Sequence, residues 1–317
     1  MKRRQRPANQ PEQCLYRFNQ TPPDAAMCLE AVYVAFSHYR PVWNWCRQCF
    51  TSENEERTRA AGPLHRAKLE DFDQIYYEHP NCSGGRDTFL HFLPRALELA
   101  FLKSETDYFL IHYTLRVGLW RFDKTEQDAL RTLFCRVAIN WFIYNDTAPL
   151  LLPLAMKENR LEDYVSDCII QALLTLRVDP FDLVCWLARL KNSKACIALL
   201  DLSITAYPIE NPSYYVLDDK ADEVVQRRAV DALIPLTRDA SGRMASDKRL
   251  LRLWLWAESA NPPLAREIEE VQSSLSDQRQ RLTRSERIQA RIELCAAVRK
   301  PEEMHKNAIN RIKIKDR

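Results

Sequence analysis

Residues 123–145 read DKTEQDALRTLFCRVAINWFIYN, and this stretch carries the clearest structural signal in the chain. Asp123 followed three residues later by Glu126 has the pattern of a capping box, in which two side chains satisfy backbone N–H groups at a helix start. Apolar side chains then recur at helical spacing: Leu130, Leu133, Phe134, Val137, Trp141 and Phe142. The stretch therefore predicts a long helix that begins after Asp123 and buries an apolar face.

The rest of the chain favours helices for a compositional reason, because its 317 residues include only 5 glycines. Tight hairpin turns need residues that tolerate positive φ, and glycine is the usual one. Helices avoid glycine, which costs about 1 kcal/mol relative to alanine in a helix interior. We therefore predict an all-α protein, in which an N-terminal helical domain precedes an irregular α-solenoid-like helical stack.

Changes in composition divide the chain into four parts. These are a polar N-terminal lead at 1–22, a helical domain at 23–146, a helical stack at 147–300 and a basic tail at 301–317. The helical domain includes an irregular segment at 42–62 that carries cysteines and tryptophans. We expect both basic chain ends to be solvated. The stack is described as irregular because no repeat of fixed period is visible in it.

Aspartate and proline mark several predicted helix starts in the N-terminal half. Asp24 is expected to cap a helix over 25–39, and a second helix is predicted over 63–78. Asp87 is expected to cap the next helix. Pro94 lies inside that helix and predicts a kink or a restart, since proline lacks the backbone N–H that a helix interior uses.

Charge and cysteine usage point to a cytoplasmic protein. The net charge of +3 is nearly balanced, which argues against a dedicated nucleic-acid binder. The apolar runs are too short for the ~20 residues of a membrane span, and residues 1–13 hold no apolar leader. We expect free thiols in a reducing cytoplasm. Several of the 10 cysteines lie in apolar helical patterns: Cys28, Cys135, Cys168, Cys185, Cys196 and Cys295.

The strongest chemical signal is a possible metal site. Cys46 and Cys49 have the C-x-x-C spacing of a zinc knuckle. His79 and Cys82 supply an H-x-x-C pair about thirty residues further on. Thiolate and imidazole ligands would hold a structural zinc ion in a closed tetrahedral site and organise the irregular segment. The alternative is a metal-free arrangement with one exposed and one buried cysteine beside the tryptophans.

Catalysis is a second hypothesis, in which a zinc- or thiol-dependent hydrolase uses the loop around Cys82. Cysteine, histidine and aspartate are the residue types that a thiol hydrolase needs, and His79, His91 and Asp87 are near in sequence. The residues around Cys82 match no hydrolase motif, and the chain contains no glycine-rich phosphate loop. We therefore favour a binding protein over an enzyme.

The segment that follows Gly85, RDTFLHFLPRALEL, resembles a set of uncharacterised bacterial proteins. These share a D-F-x-H-F-L-P-R-x-x-E-L-like segment and an upstream cysteine pair. The matching residues are Asp87, Phe89, His91, Phe92, Leu93, Pro94, Arg95, Glu98 and Leu99, with Cys46 and Cys49 as the pair. Thr88 interrupts the D-F adjacency in this chain. The resemblance covers roughly 25–145 and implies a bacterial source, with no established activity.

Binding to another protein is the favoured function, because helical stacks present long concave surfaces. Trp254 and Trp256 are two residues apart and do not share a helix face, so one of them is expected to be partly exposed. The candidate partner-binding residues are His91, Arg95, Trp254 and Trp256. We predict an immunity protein (antitoxin) that blocks a cognate toxin by direct binding. The alternative to this is a helical scaffold or regulator.

Overall fold

The computed structural model confirms the all-α prediction in the part of the chain that it describes. That part includes helices and no strand, while the solenoid-like arrangement stays a prediction. It comprises 15–77, 80–100, 123–144, 160–190, 234–240, 254–259 and 282–296, with isolated residues between 192 and 269. The predicted basic tail at 301–317 lies outside the described residues.

Helix α1, Ala25–Phe36, begins where the sequence predicts. The side chain of Asp24 accepts a hydrogen bond from the backbone N–H of Met27 at 2.8 Å. The helix ends three residues earlier than predicted. Ser37 closes it by donating its hydroxyl to the carbonyl of Val34 at 2.8 Å.

The next segment is more helical than predicted before residue 62 and less helical after it. The charged stretch at the end of 42–62 forms α2, Ser52–Ala60, capped by Thr51. The predicted helix at 63–78 is instead broken into three short turns. These are a 3-10 turn at Leu64–Arg66, α3 at Leu69–Phe72 and α4 at Gln74–Tyr77. The break lies at Ala67, whose carbonyl accepts the Arg95 Nε–H at 2.7 Å.

Helix α5, Gly85–Glu98, follows a 3-10 turn at Pro80–Ser83 and begins before the predicted cap. Gly84 occupies the N-cap position with a φ of +88°, so Asp87 lies in the first helical turn and is not the cap. The helix runs through Pro94 as one element, and the predicted restart is absent. Two successive glycines with positive φ let the chain turn into the helix early.

The long helix predicted after Asp123 is α6, Lys124–Ile143. Its capping box is confirmed. Asp123 accepts the N–H of Glu126 at 2.9 Å, and Glu126 accepts the N–H of Asp123 at 2.7 Å. Helix α6 packs against α1 and against α7, Arg160–Thr175. Helix α8, Pro180–Leu187, follows Asp179, whose side chain accepts the N–H of Phe181 at 3.0 Å.

Part of the predicted polar lead is packed into the molecule. Leu15 and Phe18, which lie in this lead, are buried. Tyr16 forms a parallel bridge with Val178, in which its N–H donates to the carbonyl of Arg177 at 2.8 Å. The guanidinium of Arg131 lies 3.5 Å from the centre of the Tyr16 ring. Residues 15–18 are therefore tied to the junction between α7 and α8.

The core continues across the predicted domain boundary at 146. Phe142 contacts Trp186 edge to face at a centroid distance of 5.8 Å. Trp141 donates its Nε1–H to Ser166 at 2.9 Å. One cluster of buried side chains extends from Leu15 to residues of the helical segment 284–296. Among the described residues, the packing shows no break at this boundary.

The cysteines divide into two chemical states. Cys28 and Cys135 are free and buried, as predicted, and Cys185 is also buried. Cys295 is disulfide-bonded, contrary to the expectation of a free thiol. The side chains of Cys168 and Cys196 lie outside the described residues. None of the described helices is both long and apolar enough to cross a membrane.

Candidate metal centre

Two loops bring three of the four predicted metal ligands together. The sulfur atoms of Cys46, Cys49 and Cys82 all lie within 4.8 Å of one another. Tetrahedral zinc–thiolate bonds of about 2.3 Å place neighbouring sulfurs about 3.8 Å apart, which is compatible with this limit. The fourth predicted ligand, His79, lies outside the described residues. The arrangement supplies three soft ligands on one side of a metal position.

The turn that carries the first two cysteines has the hydrogen bonding of a metal knuckle. The carbonyl of Cys46 accepts the N–H of Phe50 at 2.9 Å and that of Cys49 at 3.2 Å. Backbone N–H groups of Gln48 and Cys49 also point at the Cys46 sulfur and lower its pKa. The turn therefore favours the Cys46 thiolate, which is the form that binds metals.

The proximity of the three thiols makes it unfavourable for all of them to ionise together. The hydrogen bond to Cys82, and then desolvation, raise the pKa of Cys49 to about 12. The negative charges of Cys82 and Cys46 add to this shift. Three neighbouring thiolates repel one another, and a divalent cation between them would reverse this effect. The site is accessible to such an ion, because Cys49 is exposed and the other two cysteines are half-buried.

Hydrogen bonds connect the two loops. The N–H of Cys46 donates to the carbonyl of Cys82 at 2.8 Å. The N–H of Val42 donates to the hydroxyl of Thr88 at 2.8 Å. Gly84 allows this approach, since a Cβ at that position would overlap the carbonyl oxygen of Val42. The cysteine cluster is therefore organised by the protein fold.

Aromatic side chains pack around the turn that carries Cys46 and Cys49. Trp45 and Phe50 are buried and contact each other edge to face at a centroid distance of 4.8 Å. Trp45 also donates its Nε1–H to the carbonyl of Val42 at 3.1 Å. Trp43 lies 6.0 Å from Trp45, and the guanidinium of Arg59 lies 5.0 Å from the Trp43 ring. These contacts fix the loop on both sides of Cys46.

Glu55 is the functional-site residue that sequence reasoning missed. It lies on α2 with its side chain only 4% exposed, beneath the cysteine loop. Burial alone would raise the pKa of Glu55. Hydrogen bonds from the N–H groups of Asn44 and Trp45 and from Arg47 outweigh burial and lower that pKa. In the sequence, EERTR at 55–59 looks like a solvated charged face, so no local signal indicated a buried carboxylate.

The predicted catalytic group does not assemble among the described residues. His91 Nδ1 lies 3.1 Å from the carbonyl of Tyr39, and burial lowers the pKa of His91. Asp87 is exposed in the first turn of α5. No described histidine or carboxylate joins the three thiols in a group of possible ligands. The hydrolase hypothesis therefore gains no described general base beside Cys82.

Arg95 has almost no surface with which to contact a partner, contrary to the prediction. It is buried, and its Nε–H donates to the carbonyl of Ala67 at 2.7 Å. Its Nη1 lies 2.8 Å from the carboxylate of Glu98, which also accepts the hydroxyl of Tyr33 at 2.6 Å. Arg95 therefore connects α5 to the non-helical backbone at Ala67 and, through Glu98, to α1.

The two predicted tryptophan contacts are half-buried. Trp254 and Trp256 both pack against the core, while Leu255 between them is exposed. Neither tryptophan is fully buried, so their role in binding a partner stays a prediction.

The chain matches no known protein family, no curated protein and no solved structure.

Proposed function

We propose that this is a metal-binding protein in which Cys46, Cys49 and Cys82 hold a structural zinc ion. The observation that carries the proposal is the convergence of three thiols within 4.8 Å from two separate loops. Soft thiolate ligands select zinc over magnesium or calcium. The H-x-x-C spacing of His79 and Cys82 supports His79 as the fourth ligand of a closed site.

The proposed metal has a structural role. It would join the loop that precedes α2 to the turn that precedes α5, in addition to the hydrogen bonds that Cys46 makes to Cys82 and Val42 makes to Thr88. A ligand that binds only the folded state raises the melting temperature by mass action.

The test is metal content and Co²⁺ binding of the full chain under reducing conditions. We expect about one zinc per chain in the purified protein, and Co²⁺ to give the absorption of a thiolate complex. Cys46→Ala, Cys49→Ala and Cys82→Ala should each lose the metal. Cys28→Ala, which removes a free thiol elsewhere, is the matched control and should retain it. Wild-type protein that binds neither ion contradicts the proposal.

His79 requires a separate variant because three thiolates alone still bind a metal. We expect His79→Ala to weaken Co²⁺ binding and to change its absorption spectrum, since a water would take the fourth position. An unchanged spectrum would remove His79 from the ligand set and leave the three-cysteine site in place.

We also propose the protein-binding role, with immunity against a cognate toxin as its most specific form. One observation favours it. Met27 and Val34 lie seven residues apart on one face of α1 and are 61% and 63% exposed. Large exposed apolar side chains on one helix face are typical of protein interfaces. Co-expression with a toxin encoded by a neighbouring gene should relieve its toxicity, and failure to do so contradicts the immunity role.

A further inference from the structure

We propose that Glu55 is the positioning residue of the metal centre, and this inference rests on the metal site proposed above. Its carboxylate fixes the conformation of the loop that carries Cys46 and Cys49. It would not touch the metal itself, since no carboxylate belongs to the described ligand group. Its effect on the metal is through the loop.

Four donors converge on this one carboxylate. Oε1 accepts the N–H of Asn44 at 2.8 Å, and Oε2 accepts the N–H of Trp45 at 3.4 Å. The guanidinium of Arg47, the residue after Cys46, donates to Oε2 at 2.7 Å. Arg59, one turn along α2, donates to Oε1 at 3.1 Å. Three of these donors belong to residues within two positions of Cys46.

The loop conformation explains why an anion is needed beneath it. Asn44 has a φ of +84°, a left-handed conformation that asparagine tolerates better than most residues. Successive backbone N–H groups next to such a residue point in one direction and form a concave anion-binding nest. Glu55 fills this nest from within the protein, which satisfies both N–H groups and holds the turn in place.

A neutral side chain of the same shape would loosen this arrangement. Glutamine at position 55 presents an N–H₂ group where the loop and the arginines already supply donors, so one donor would lose its acceptor. The N–H of Cys46 would still reach the carbonyl of Cys82, and the site would be retained with weaker geometry. Substitutions of residues that orient metal ligands typically weaken metal binding roughly 10–100-fold.

The experiment is a Co²⁺ titration of the full chain in competition with a chelator under reducing conditions. We expect Glu55→Gln to raise the Kd for Co²⁺ by roughly 10–100-fold and to alter the visible absorption of the complex. Glu56→Gln is the matched control. It makes the same change of charge on the neighbouring, exposed residue of α2 and should leave the Kd unchanged. An equal Kd for wild type and Glu55→Gln overturns the inference.

Two further measurements separate the possible failures. Wild-type protein that binds no Co²⁺ overturns the metal site itself, whereas normal binding by a folded Glu55→Gln overturns only the positioning role. A merely stabilising Glu55 would lower the melting temperature of the metal-free protein without changing the Kd or the spectrum. If Glu55→Gln does not fold, Arg47→Gln removes one of the four donors from the surface. Wild-type Co²⁺ binding by Arg47→Gln then overturns the inference.

Discussion

The close approach of two backbone segments restricts position 84, at the junction of the two cysteine loops, to glycine. Gly84 has a φ of +88° and faces the carbonyl of Val42, while Gly62 has a φ of +75° with no atom within 4 Å of its Cβ position. Both positions disfavour a side chain because of their backbone conformation. Only at Gly84 would a side chain also collide with another atom. Comparing alanine substitutions at the two glycines therefore distinguishes the cost of backbone strain from the cost of steric overlap.

We predict that Gly84→Ala lowers the free energy of unfolding by roughly 1–3 kcal/mol more than Gly62→Ala does. The extra loss comes from pushing the Val42 carbonyl away from α5, which also separates the halves of the cysteine cluster. Urea unfolding of both variants measures the difference. Equal losses would show that the approach of Val42 to Gly84 contributes nothing to stability.

His91 makes stability depend on pH near neutrality. Burial lowers the pKa of His91 from its ordinary value of 6.5, with a smaller contribution from Arg40. The unfolded chain therefore takes up a proton at a higher pH than the folded protein does. The contribution of His91 to the free energy of unfolding is therefore fully present above about pH 6.5. It decreases as the pH falls from there toward the folded-state pKa of His91.

We predict that wild-type protein is less stable at pH 5.5 than at pH 7.5, and that His91→Gln shows a smaller loss. Urea unfolding at both pH values measures this, with His65→Gln as the control because His65 is exposed. The same pH dependence in wild type and His91→Gln would mean that other groups cause it.

Ligands and positioning residues differ in how far sequence can predict them. The C-x-x-C pair and Cys82 were predicted as ligands because the residue type and spacing carry the chemistry. Glu55 was missed because its burial depends on a loop eleven residues earlier folding over it, as its bond to Asn44 shows. Arg95 was misplaced for the same reason, since its acceptor at Ala67 is 28 residues away.

At the scale of elements, helix starts are predictable where the cap is local. Asp24 and Asp123 each cap the helix that follows, as the sequence indicates. Asp87 has the same residue type before an apolar run but does not cap, because Gly84 starts the helix earlier. The start of α5 is therefore determined by the positive φ of the glycines and not by the aspartate side chain.

We predict that Asp123→Ala lowers the free energy of unfolding by about 1 kcal/mol, the usual cost of losing an N-cap. Asp87→Ala is the control, because it removes only a charge in the first turn of α5 and should cost a few tenths of a kcal/mol. Chemical unfolding of the two variants checks this. A larger loss for Asp87→Ala would mean that Asp87 has a capping role after all.

At the scale of the whole molecule, the described parts of the predicted lead, helical domain and helical stack contribute to one core, which the composition does not reveal. The predicted lead at 1–22 looks polar because, after Met1, its large apolar residues are confined to the short CLYRF stretch at 14–18, too short to form a periodic pattern. Leu15 and Phe18 are nevertheless buried, and Phe18 contacts Trp186 at a centroid distance of 4.3 Å. Trp186 in turn contacts Phe142 on α6, so one aromatic cluster spans both predicted domains.

We predict that Phe18→Ala lowers the free energy of unfolding by roughly 3–5 kcal/mol, because it opens a cavity beside Trp186. Phe181→Ala is the matched control. It makes the same substitution at a side chain that is 45% exposed, against 5% for Phe18, and should cost far less. Urea unfolding followed by tryptophan fluorescence and by circular dichroism measures both variants. Since the cluster joins α6 and α8, the two probes should shift together for Phe18→Ala, and separate transitions would contradict a shared core.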